Sequence, residues 1–214
     1  MRASIRLLIL FLSSIGNSTH AAGPETGSGL VRQGNATGAT ACVTCHGADG
    51  AGNAASGFPR LAGLDAGYLK KQLLDFQNGR RSNALMEPIA KGLSAAEASA
   101  VAAYYAAQKT GAAAQAAGDP QMLARGARTA QRGQWEKTVP ACVSCHGPGG
   151  RGIGAHFPAL AGQHASYIVA QFGAWRDGSR RNDPLELMQS VAERLSEEDI
   201  AAVAAYFASL DPEP

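Results

Sequence analysis

The chain has 214 residues, with 19 Lys and Arg against 17 Asp and Glu, for a net charge of +2 at pH 7. That length fits one or two domains, and so small a charge supplies no broad basic field for nucleic acid. All four cysteines sit in two short clusters, so none is left over to cross-link distant parts of the chain.

In chain order, residues 1–22 read "MRASIRLLILFLSSIGNSTHAA". Arg2 and Arg6 precede an apolar run from Leu7 to Leu12, and small residues end the segment at Ala21 and Ala22. This is the layout of a secretory signal, which predicts export to the periplasm. The run is too short to span a bilayer as a helix. Without these residues the chain carries 17 charges of each sign: +2 over residues 23–110 and −2 over residues 111–214.

The remainder is one unit written twice. "ACVTCHG" from Ala41 returns as "ACVSCHG" from Ala141, and "FPRLAGLDAGY" from Phe58 returns as "FPALAGQHASY" from Phe157. A helix is expected before each cysteine cluster. Middle helices are expected over residues 65–78 and 164–177, with Gly79 and Gly178 as stops. Met86 and Met188 follow at equivalent places, in expected loops. Ser94-x-x-Glu97 and Ser196-x-x-Asp199 then open capped helices with apolar stripes at Val101, Tyr104 and Tyr105 and at Val203, Tyr206 and Phe207. No period-2 strand pattern occurs. A repeat near 100 residues is too long for a solenoid unit. The expected fold is therefore all-α, with two tandem domains over residues 23–108 and 121–214. The Ala/Gly-rich stretch 109–120 is the expected linker.

Cys-x-x-Cys-His is the attachment signature of c-type haem, with the two thiols bonding the vinyl groups and the histidine facing the iron. The candidate residues are Cys42, Cys45 and His46, then Cys142, Cys145 and His146. A redox dithiol or a zinc site could also use such cysteines. The first usually lies beside a strand–helix unit, and the second normally needs four protein ligands. Two copies in an exported helical repeat favour two covalent haem c groups. The sixth iron ligand separates carrier from catalyst. Met86 and Met188 lie 40 and 42 positions past the histidines, so they are the expected axial ligands. Met122 has no counterpart. His156 and His164 occur in the second half alone and read as surface or capping residues. Pro59 and Pro158 can accept a hydrogen bond from the ligating histidines while offering no competing donor. Arg80-Arg81 and Arg180-Arg181 repeat as well. Arg81 and Arg181 are the candidates for pairing with haem propionates.

Taken together, "CVTCHG" and "CVSCHG", "FPRLAG" and "FPALAG", Tyr68 and Tyr167, the arginine pairs, the methionines and the "VAAYY" and "VAAYF" helices resemble the two-haem cytochrome c4 family of bacterial electron carriers. The resemblance covers nearly all of residues 30–210. It implies two class I cytochrome c folds facing each other, axial pairs His46/Met86 and His146/Met188, and propionates toward the domain interface. It implies single-electron transfer among redox proteins in the periplasm, with a quinol–cytochrome c oxidoreductase as donor and a haem-copper terminal oxidase as acceptor. Nucleic acid is not an expected partner, and peripheral membrane association is left open. A dedicated cytochrome subunit of a dehydrogenase is the alternative, and a dihaem peroxidase or sulfur-compound oxidoreductase comes behind it. The carrier reading makes the chain itself not an enzyme. "GLDAGY" departs from the family-like "GQHASY" of the second half, away from the expected ligands.

Overall fold

The computed structural model describes residues 24–109 and 118–212. The signal-like segment 1–22 and residues 110–117 of the expected linker lie outside the described residues. The first half contains α1 (Pro24–Gln33), α2 (Val43–His46), α3 (Ala66–Gln77), α4 (Met86–Lys91) and α5 (Ala95–Ala106). The second half repeats this order as α6 (Pro120–Arg132), α7 (Val143–His146), α8 (Ala165–Arg176), α9 (Leu187–Arg194) and α10 (Glu197–Ala208). Among the described residues, extended pairing is confined to isolated bridges, and no helix is long and apolar enough to cross a membrane.

In each half the first and last helices cross at a glycine. A Cβ on Gly27 would lie 2.3 Å from the Ala100 carbonyl oxygen, and one on Gly126 would lie 2.1 Å from that of Ala202. These bare faces let α1 rest on α5 and α6 on α10. The middle helices close each core. Val31, Leu69, Val101 and Tyr105 are buried in the first half, and Val139, Ile168, Phe172, Val203 and Phe207 in the second. Each large apolar side chain buried this way contributes roughly 1.5–3 kcal/mol.

Local signals set the helix ends. Asp65 caps α3 by accepting from the Tyr68 amide, while His164 stands at the same place before α8 without capping it. Ser94 with Glu97, and Ser196 with Asp199, form reciprocal capping boxes. The methionines correct one expectation: Met86 opens α4 and Met188 is the second residue of α9, so neither lies in a loop. An upstream acceptor starts each turn. Asn83 Oδ1 takes the Met86 amide at 2.9 Å, and Asp183 Oδ2 takes the Met188 amide at 2.7 Å.

Asp199 does more than cap. It is buried, and Lys137 and Arg125 from outside its helix both bind it, at 2.8 and 2.9 Å. Burial alone would raise its carboxyl. Hydrogen bonds from Lys137, Gln134, Ser196 and Arg125 outweigh that and hold it well below the usual range. A depressed carboxylate contributes stability above its unfolded value, and loses it as pH falls toward the folded value. Asp199→Asn is therefore expected to cost about 2–3 kcal/mol at pH 7, the loss of a buried charge with half-exposed partners. Thermal melts of both proteins against pH check this: the gap should be full at pH 7 and should close as pH drops below about 3.8.

Candidate functional site

Each Cys-x-x-Cys-His forms a single helical turn. Cys42 and Cys142 precede α2 and α7 in helical conformation, so cysteines three apart lie on one face and the histidine closes the turn. None of the four cysteines is in a disulfide. A glycine-rich loop then folds back over the histidine. Gly52 and Gly152 donate to the His46 and His146 carbonyls at 3.0 and 2.7 Å. Both glycines have positive φ, +75° and +84°, and a Cβ there would strike the Phe58–Pro59 or Phe157–Ala159 backbone.

The fold-back sets the histidines chemically. His46 Nδ1 lies 3.1 Å from the Pro59 carbonyl oxygen, and His146 Nδ1 lies 2.8 Å from that of Pro158. A carbonyl oxygen only accepts, so Nδ1 carries the proton and Nε2 keeps its lone pair. Burial pushes both imidazoles below the ordinary histidine value, against the opposing pull of the carbonyls, and Arg180 adds to the shift at His146. The neutral ring is the form that binds a metal.

Both turns open into one cavity of about 1180 Å³. Its wall includes Cys42, Cys45, His46 and Met86 from one half and Cys142, Cys145, His146 and Met188 from the other. Pockets for single ligands usually span about 300–1,000 Å³, so this space exceeds the need of one. Met122 and His156 are exposed. His164 Nε2 instead meets the Ala51 carbonyl of the first half at 3.0 Å.

The halves meet along α3 and α8 in a near-twofold arrangement. Arg81 donates to Tyr167 and Gln171 of the second half, at 2.6 and 2.7 Å, and to its own Gln72 at 3.0 Å. Arg180 mirrors it, reaching Tyr68 and Gln72 of the first half at 3.4 and 3.3 Å and its own Gln171 at 3.0 Å. Each guanidinium stacks on a ring of its own half, Phe76 or Trp175. Arg81 and Arg180 also pair through an antiparallel bridge. This differs from the expectation that named Arg181 beside Arg81 for the propionates. Counting from Gly79 and Gly178, the equivalent of Arg81 is Arg180. Arg181 is exposed and absent from the cavity wall, because the chain has turned by one position.

Positive charge is in surplus here. Arg60, Arg81 and Arg180 are buried against one buried carboxylate, Asp75, which Lys71, Arg80 and Asn182 already occupy. Burial pulls Arg81 down, but Tyr167, Tyr68 and Asp75 outweigh it and hold it above the ordinary arginine value. Arg180 falls below that value through burial and the like charge of Arg81. The cavity therefore offers two thiols per site, a neutral imidazole, a thioether and cations for carboxylates. These donors fit two haem groups.

The comparisons agree. Residues 123–211 match the family model of cytochrome c, and residues 29–104 that of subunit III of cbb3-type cytochrome c oxidase. A cytochrome c4 from Pseudomonas aeruginosa is 38% identical over 209 residues, covering 96% of this chain and 98% of that one. The chain belongs to the cytochrome c4 family. A thiosulfate dehydrogenase electron acceptor from Stutzerimonas stutzeri is 52% identical over 185 residues, 86% of either chain. A solved thiosulfate dehydrogenase from Marichromatium purpuratum is 46% identical with a TM-score of 0.81; the match covers 88% of this chain and 40% of that one. As a cytochrome c4 relative the protein has two cytochrome c domains and holds two covalent haem c groups, at Cys42/Cys45 and Cys142/Cys145. Its work is electron transfer.

Several residues of this cytochrome c4 site belong to no motif in the sequence: Arg60, Gln72, Asp75, Gln163 and Gln171. Three of them differ between the repeats, as Arg60/Ala159, Asp75/Ala174 and Leu64/Gln163. Those differences were the available signal.

Proposed function

We propose that the chain is a periplasmic acceptor of single electrons from thiosulfate dehydrogenase, relaying them toward a terminal oxidase. The observation that carries this is its 52% identity to a thiosulfate dehydrogenase electron acceptor, well above its 38% identity to a cytochrome c4. The Marichromatium purpuratum chain supports a close partnership, since a unit like this one there forms 40% of a longer chain described as thiosulfate dehydrogenase.

In this reading His46 with Met86, and His146 with Met188, are the axial pairs, and bound haem supplies the one-electron couple. The residues do the rest. Pro59 and Pro158 fix the imidazole orientation and increase its basicity. Arg81 and Arg180 hold propionates while tied to the opposite half. The shared cavity keeps both centres inside one wall, so an electron entering either half can pass to the other without leaving the protein. Mixing the oxidised protein with a thiosulfate dehydrogenase and thiosulfate should reduce both haems within the enzyme's turnover time, read by rapid-mixing absorbance. Reduction no faster than with thiosulfate alone would overturn the proposal.

A further inference from the structure

The halves are unequal at two corners of their interface. At the first, Gln163 clasps the Arg60 backbone from the opposite half: its Oε1 takes the Arg60 amide and its Nε2 donates to the Arg60 carbonyl, both at 2.9 Å. Leu64 stands at the equivalent place in the first half and has no group for such a clasp. At the second corner, α3 grips the loop that leads to Met188. Asp75 and Asn182 are both buried. Asn182 Nδ2 donates to Asp75 Oδ2 at 2.8 Å and to Gln72 Oε1 at 2.9 Å. Lys71, itself paired with Asp75, donates to the Asn182 carbonyl at 2.7 Å. This grip runs one way. Counting back from Gly79 and Gly178, Lys71 and Asp75 correspond to Ala170 and Ala174, so α8 has neither the charge nor the donor to return it. The loop before Met86 is closed by its own residues. Glu87 takes the Ser82 hydroxyl and the Asn83 amide, and Asn83 takes the Leu85 and Met86 amides.

The gripped loop is longer by two residues, and it is strained. Leu185 and Glu186 have φ of +62° and +55°, a region that bulky side chains avoid. Leu185 is 89% exposed, so packing does not hold it there. Such backbone persists where its flanks over-determine it. Here Asn182 is fixed by the first half. Asp183, next in the chain, takes the Trp175 indole N–H at 3.0 Å and the Met188 and Gln189 amides at 2.7 and 3.2 Å. Displacing Asn182 therefore carries Asp183 with it, and with Asp183 the turn that holds Met188.

We infer that Asp75 and Lys71 of the first half position Met188 of the second half at its iron, acting through Asn182 and Asp183. This rests on the axial role proposed for Met188 and not on the choice of redox partner. Asp75 and Lys71 are positioning residues. The second-half iron holds its sixth ligand by leave of the docked first half, whereas Met86 depends on its own loop.

The test is NMR of the haem-loaded ferrous protein, with the methyl signals of the two iron-bound methionines assigned by their loss in Met86→Ala and Met188→Ala. Cyanide, which takes a ferric iron once the thioether leaves, is titrated in parallel and followed at each haem. Asp75→Ala should broaden the Met188 signal and raise the cyanide affinity of the second-half haem about tenfold, the effect of losing a hydrogen bond to a charged group. The Met86 signal and the first-half haem should hold. Asn182→Ala should act in the same direction, and it carries the test if the Asp75 variant does not fold. Ser166→Ala removes a different cross-half bond, to the Ala54 carbonyl at 3.0 Å, and should move neither haem. An unmoved second-half haem, equal changes at both haems, or the same change in Ser166→Ala would each overturn the inference. Two methionine signals persisting in Met188→Ala would overturn the axial assignment, and the inference with it.

Discussion

Gly126→Ala is expected to destabilise the protein by about 3 kcal/mol, at the upper end for overpacking, since the clash is with backbone that no rotamer change relieves. The new Cβ would meet the Ala202 carbonyl oxygen at 2.1 Å, its carbon at 2.6 Å and the Tyr206 Cβ at 2.7 Å. Helices α6 and α10 must separate to admit it. Gly173→Ala provides the control. It is the same substitution in α8, but with nothing within 4 Å of the added Cβ. There the better helix propensity of alanine should stabilise by about 0.5–1 kcal/mol. Denaturant melts of both variants check the pair; equal signs would mean that the crossing is not held by the bare glycine face.

The second large effect is functional. Met188→Ala is expected to open one iron of two, so that carbon monoxide shifts the reduced spectrum of about half the haem, and to lower that haem's potential. Met86→Ala should do the same for the other half, and the double variant should bind carbon monoxide at both. The wild type should bind none, and Met122→Ala should match it, since Met122 is exposed and absent from the cavity wall. Carbon monoxide binding in the wild type would reopen the peroxidase alternative.

Much of this site was legible because its chemistry is local. The cysteines, histidine and following proline act through fixed short spacings, and the capping boxes mark helix starts from four residues each. The methionines are legible as a repeat but not as helical residues, because the acceptors that start their helices, Asn83 and Asp183, follow no capping-box spacing. The interface was less legible. "RRSN" and "SRRN" align by arginine pairs in the sequence, but the glycines before them set the register, and that makes Arg180 rather than Arg181 the partner of Arg81. Arg60 and Asp75 have no charged counterpart in the second repeat, so the repeat pattern does not single them out. In the structure Arg60 reaches the Ala161 carbonyl and Asp75 takes the Asn182 side-chain amide, both of the second half.

The unequal corner at Arg60 also bears on how a duplicated chain avoids assembling with itself. Two nearly equivalent halves invite exchange, with the first half of one molecule docking on the first half of another. Such a pair would bring Arg60 against Leu64 instead of Gln163, stripping its backbone of both clasping hydrogen bonds while the cation stayed buried. Two second halves would set Gln163 against Ala159, whose backbone offers the same two groups, but no guanidinium would bridge to the opposite half as Arg60 does to the Ala161 carbonyl. The Leu64/Gln163 difference therefore penalises the pairing of two first halves, which is discrimination by penalising the wrong partner.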